Sequence, residues 1–110
     1  MLKQYDNALT VFRRIVRRGV ERVAYGPCGE GERWAKSLVN DSRAKIGKCY
    51  ARKGDYRYGL RWSEAHLSHR APGIPSVYSR EEIVSYARWL RAMIAYADRP
   101  KMKKAKPKET

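Results

Sequence analysis

The chain has 110 residues and a mass of 12.8 kDa, the size of one small domain with no room for two independent cores. Apolar residues make up 43%, with eight Tyr and three Trp, which excludes wholesale disorder; no apolar run approaches the roughly 20 residues that span a bilayer. Lys and Arg number 25 against 11 acids, a net +14, and the last ten residues supply only +4 of it, so the body of the protein is strongly basic as well.

The first element is an amphipathic helix near 6–24. Ala8, Leu9, Phe12, Ile15, Val16, Val20 and Val23 fall on one stripe at about 100° per residue, with Gly19 among them. Arg13, Arg14, Arg17, Arg18 and Arg22 fall opposite, joined by the single acid Glu21. Asp6 or Asn7 is placed to cap the start, accepting from a free backbone N–H. The run Tyr25-Gly26-Pro27-Cys28-Gly29-Glu30-Gly31 ends it.

A second helix is expected over 32–52. Trp34, Ala35, Leu38, Val39, Ser42, Ile46, Cys49 and Tyr50 share one broad face, and the phase persists through Asn40-Asp41-Ser42. Gly54 suits its C-terminus, with Arg52 and Lys53 at the negative end of the dipole. A competing reading makes 46–62 a short β-hairpin, because Tyr56-Arg57-Tyr58-Gly59-Leu60-Arg61-Trp62 alternates apolar and polar. Segment 56–62 is therefore left open, with a short helix at 63–70 after it.

Ile46-Gly47, Tyr50, Gly54 and Tyr56 stand where a tetratricopeptide repeat has its Leu-Gly, Tyr, Gly and Tyr, and Tyr5-Asp6-Asn7-Ala8-Leu9 with Phe12 resembles the second helix of such a repeat. The register slips beyond Gly59, and such repeats need about three copies to bury a continuous core. The pattern is read as helical-hairpin chemistry, with no family claimed.

The third strong element is a helix near 79–98. Ser79-Arg80-Glu81-Glu82 has the spacing of a capping box, and Ile83, Tyr86, Ala87, Leu90, Met93, Ile94 and Ala97 line one face. Trp89 and Tyr96 widen that stripe, which makes this helix the expected centre of the core. Ala71-Pro72-Gly73-Ile74-Pro75 reads as a stiff loop before it. Beyond Arg99-Pro100 the Lys-rich segment 101–110 is low-complexity and reads as a disordered tail. The fold expected is thus mainly α, a single small bundle of three to four helices over 1–100, with the 46–62 hairpin as alternative.

Chemistry is sparse. Cys28 and Cys49 make no paired motif, and with His66 and His69 they form only a loose set, so no metal or other cofactor is expected. Cys49 reads as a core thiol and Cys28 as a free thiol in the Gly-rich loop. The start MLKQYDNALT lacks the apolar centre of an export signal, so a reducing cytoplasm and no structural disulfide are expected. Glu64, His66 and His69 are the one cluster with catalytic potential, but no nucleophile, base and orienting group share a local signature. Gly26, Gly29 and Gly31 lack the Lys-Ser/Thr of a phosphate loop. A non-enzymatic protein is the expectation.

The basic surface carries the functional reading. Fifteen of the 25 cations are Arg, whose planar fork grips phosphate or carboxylate at two points. The contact residues expected are Arg13, Arg14, Arg17, Arg18 and Arg22 on the first helix, Arg57 and Arg61 among the aromatics of 56–62, and Lys101, Lys103 and Lys104 in the tail. The partner expected is nucleic acid, DNA or RNA, held by phosphate neutralisation. The alternative is an acidic surface of a larger protein or nucleoprotein complex, bound by a small inhibitor or adaptor of the phage accessory kind.

Overall fold

The computed structural model describes residues 2–25 and 31–99, and among these it holds four helices and no strand: α1 Leu2–Tyr25, α2 Glu32–Arg52, α3 Tyr56–Ser68 and α4 Arg80–Ala97. Each helix packs mainly on its neighbour in sequence. The pairs run antiparallel: Asp6 near the start of α1 reaches Lys53 just past the end of α2, Asn40 of α2 meets His66 near the end of α3, and Arg57 near the start of α3 meets Asp98 after α4. The protein is a small, compact helical bundle.

Segment 56–62 is helical, not a strand. The Asp55 side chain accepts from the Tyr58 backbone N–H at 3.2 Å and caps α3, which then runs unbroken to Ser68 and takes in most of the short helix expected at 63–70. Alternation in Tyr56–Trp62 misleads because Gly59, not a large apolar residue, is the one that must face α2. A Cβ at Gly47 would lie 2.9 Å from the Gly59 carbonyl oxygen, and one at Gly59 would lie 3.0 Å from that of Gly47. The two backbones touch where both side chains are missing. The segment that resembles a tetratricopeptide hairpin is accordingly a hairpin of helices, with Gly54 at φ +94 in the turn.

α1 starts earlier than expected. Asp6 does not cap it: the residue lies inside the helix, its carbonyl accepts from the Thr10 hydroxyl, and its carboxylate pairs with Lys53. A tertiary cation has claimed the side chain that a cap would have used. Ser79 does cap α4 as expected, bonding the Glu82 N–H at 3.1 Å while Glu82 Oε1 accepts from the Ser79 N–H at 2.7 Å.

The centre of the core is α2, not α4. Leu9, Ile46, Cys49 and Tyr50 form a buried cluster, with Ala8, Phe12, Val16 and Trp62 packed against it, so α1 and α3 both lean on the second helix. α4 buries only Ile83, Ala87 and Leu90 along its length, and Trp89 and Tyr96 are 46% and 61% exposed. Those two rings sit at the margin of the stripe rather than inside it, because α4 packs mainly on α3.

Candidate functional site

The α1 stripe of Leu9, Phe12 and Val16 is drawn onto α2, and this turns the arginine side outward. Arg13, Arg14, Arg17, Arg18 and Arg22 are all exposed, and none pairs with a carboxylate among the described side chains. They do not act as one row. Arg14, Arg17, Arg18 and Arg22 together line a shallow groove of about 260 Å³ with no other described side chain in its wall. Arg13 turns the other way, and its guanidinium lies 5.2 Å from the centre of the Tyr50 ring.

Tyr50 links this face to α3. Its ring lies 5.0 Å from that of Tyr58, tilted at 53°, and Arg61 sits 5.4 Å from the centre of the Tyr58 ring. Arg13, Tyr50, Tyr58 and Arg61 thus form a continuous ladder that ends in a cation on each side. Arg61 joins the α1 arginines by this route. Arg57 does not, since it points to α4 and pairs with Asp98. Lys101, Lys103 and Lys104 lie outside the described residues, as does Cys28.

A second basic and aromatic surface, which the sequence reading missed, lies on α2 and α4. Lys45 Nζ donates to the Tyr78 hydroxyl at 3.2 Å, and Lys48 Nζ lies 4.0 Å from the centre of the Tyr86 ring and 5.5 Å from that of Tyr78. Burial, together with the charges of Arg52 and Lys45, lowers the Lys48 pKa below the usual range for lysine. A groove beside it is lined by Lys48, Ser79, Glu81, Glu82, Ser85, Tyr86 and Trp89, so acids share it with the cation. The lysines stand at every third position of a helix, but Tyr78 comes from a loop whose path the sequence does not disclose.

The histidines separate. His69 is exposed and its ring nitrogen stays local, 2.8 Å from the Ala65 carbonyl. His66 is wholly buried, with Nε2 at 3.2 Å from Asp41 Oδ1. Asp41 also accepts from the Ser76 hydroxyl at 2.6 Å and from the Val77 N–H at 3.0 Å, pinning the α3–α4 connection to α2. Burial alone would raise the pKa of Asp41, but the hydrogen bonds from His66, Ser76 and Val77 outweigh it and hold the carboxyl below its usual range. His66 Nδ1 has no partner, and it faces the interior beside Tyr78, whose ring meets the imidazole edge-on at 6.0 Å. Asp41 can only accept, so Nε2 carries the proton of the hydrogen bond between them. This is a structural latch, closed to solvent on the histidine side.

Cys49 is a buried free thiol whose pKa is raised by burial, as a core cysteine should be. Among the described residues no three His, Cys, Asp or Glu side chains come together in a metal-holding group, and no helix is long and apolar enough to cross a membrane. No protein-family model matches the sequence, and neither a curated protein nor a solved structure is significantly similar to it.

Proposed function

We propose that this protein is a small non-enzymatic binder that engages nucleic acid through the outer face of α1, extended by the Arg13–Tyr50–Tyr58–Arg61 ladder. The observation that carries the reading is the groove lined by Arg14, Arg17, Arg18 and Arg22, none of which pairs with a carboxylate among the described side chains. Four arginine side chains that share one groove repel one another, and an anion held between them relieves that repulsion. The net charge of +14 adds a long-range field that steers polyanions to the surface.

The contact is to phosphates more than to bases. Tyr58 is 44% exposed, but Arg61 lies over its ring and Tyr50 packs against it, so it is not an open platform for stacking. Binding should therefore be weakly sequence-dependent and steeply salt-dependent. An acidic protein surface is the second reading, because an arginine fork grips carboxylate in the same geometry.

The test is a titration of short duplex DNA and matched single strands at several salt concentrations, with the wild-type chain and with R14Q/R17Q/R18Q. Affinity should fall for every sequence, and the log–log salt slope for duplex should shrink by up to about 3. A triple variant that binds nucleic acid like the wild type would remove the nucleic-acid reading. Retained nucleic-acid binding with loss of a stoichiometric complex to one acidic protein would favour the second.

A further inference from the structure

α4 buries Ile83, Ala87 and Leu90 and turns the opposite face outward. Glu81, Ser85, Arg88, Ala92, Ala95 and Arg99 are all exposed there, at alternating steps of four and three, the spacing of a seam between two helices. Arg99 lies just past the C-cap Asp98, but its N–H donates to the Tyr96 carbonyl at 3.2 Å, so the last turn carries the seam to it. Trp89 and Tyr96 stand along one edge, 46% and 61% exposed. Trp89 is nonetheless fixed, stacked on the Tyr86 ring at 5.6 Å and met edge-on by Tyr56 at 5.9 Å. A large ring held in place while half open to solvent is a pre-ordered anchor for a partner.

The order of the seam identifies that partner. Its steps read the same in both directions, so an antiparallel second copy sets Glu81 against Arg99, Ser85 against Ala95 and Arg88 against Ala92, each pair occurring twice about a two-fold axis. Opposite charges then meet at both ends, and small side chains between them let the helices approach. A parallel copy would set Glu81 on Glu81 and Arg88 on Arg88, like charge on like. Glu81 has no cationic partner among the described side chains, and Arg99 lies over its own Tyr96 ring at 4.1 Å, beside the seam. The net +14 of the chain opposes self-pairing, but residues 80–99 hold four Arg and three acids, a net of only +1. The repulsion is weakest where the seam lies.

We propose that the outer face of α4 is a self-association surface, through which two copies of this chain pair antiparallel with Trp89 and Tyr96 closing one edge. The contact is one pair of helices about 27 Å long. That places it at the low end of interface sizes, roughly 1,200 Å² or less in total, so the dimer is weak and concentration-dependent.

The experiment is sedimentation of the full chain, freed of nucleic acid, across the micromolar range in moderate salt, where the repulsion between two basic chains is screened. Wild type should pass from monomer to dimer. E81R and R99E each set like charges together at both ends of the seam and should weaken association about tenfold. The reciprocal variant E81R/R99E restores opposite charges and should return to within about threefold of wild type. Both substitutions oppose the helix dipole of α4, so recovery in the double variant cannot come from a steadier helix. A92R supplies a variant with no doubt about folding, because Ala92 is exposed and arginine is a good helix former. It should keep the thermal midpoint and stay monomeric, with an arginine set against Arg88 of the second copy.

A wild-type chain that is monomeric throughout overturns the inference and leaves the face to a different occupant. So does A92R that associates like wild type, which would put the contact elsewhere. A reciprocal variant whose losses simply add removes the antiparallel register, and the inference with it.

Discussion

Two regions of this molecule treat charge and polarity in opposite ways. Where α2, α3 and α4 meet, the acids and Asn40 are answered within the chain: Asp41 by His66, Ser76 and Val77, Asn40 by the His66 carbonyl, Glu64 by Arg91, Asp98 by Arg57. On the outer face of α1, four arginines line one groove and no described carboxylate meets them. The first region accounts for itself as structure. The second does not, and a concentration of charge that the fold leaves unanswered is an argument for something outside the fold.

That contrast breaks most sharply in the interior. Leu90 is fully buried on α4, so Leu90→Ala should cost about 2–5 kcal/mol by leaving a cavity. The measurement is the denaturant midpoint, and an unchanged value would show that α4 is not held by its Ile83–Ala87–Leu90 edge.

Asp41→Ala should cost about 3 kcal/mol, since it removes a charged hydrogen bond and orphans buried His66 and the Ser76 hydroxyl. The sign of the pH dependence follows from the lowered pKa of Asp41. The folded state prefers the carboxylate, so its stabilising contribution is complete above the unfolded pKa of about 4 and is lost as pH falls through the lower folded value. Wild type should therefore lose stability on acidification below about pH 4, and Asp41→Asn should flatten part of that acid limb. Limited proteolysis at 71–79 should rise in either variant, because Asp41 is what ties Ser76 and Val77 to α2.

Gly47→Val tests the helix contact itself. Its added methyls would press on the Gly59 backbone carbonyl, which cannot rotate aside, so a loss of about 1–3 kcal/mol is expected. Gly54, open to space on all sides, supplies the control for a glycine whose value is its backbone angle rather than its size.

The sequence discloses some of this and hides the rest for physical reasons. The stripe of α1, the broad face of α2 and the capping box at Ser79 are local patterns, and local patterns are legible. So is the outward turn of the arginines, since burying one side of a helix exposes the other. The Gly47–Gly59 contact was half visible: Gly47 and Tyr50 marked a helical hairpin, yet Gly59 also fitted an alternating strand. Asp41 was hidden because its partners come from residues 66, 76 and 77, and no spacing rule connects them. The same is true of Lys45 and Lys48 under Tyr78. Gly19 stood within the apolar stripe and gave no sign that its backbone is non-helical, at φ 80 and ψ 169, because an isolated glycine does not interrupt a helical pattern of apolar residues.

The smallest effect on stability should come from the substitutions with the largest effect on binding. Arg14, Arg17 and Arg18 are exposed, and glutamine has nearly the helix propensity of arginine, so R14Q/R17Q/R18Q should shift stability by no more than about 0.5 kcal/mol. The shift should be toward greater stability at low salt, where the repulsion among the groove's guanidinium groups is least screened. Raising the salt should erase that gain while leaving the cost of Leu90→Ala untouched, because a cavity does not respond to ionic screening. Thermal unfolding of both variants in low and high salt measures the difference. If the triple variant were clearly destabilised, the arginines would be holding α1 in place through contacts of their own, and the outer face would belong with the interior rather than against it.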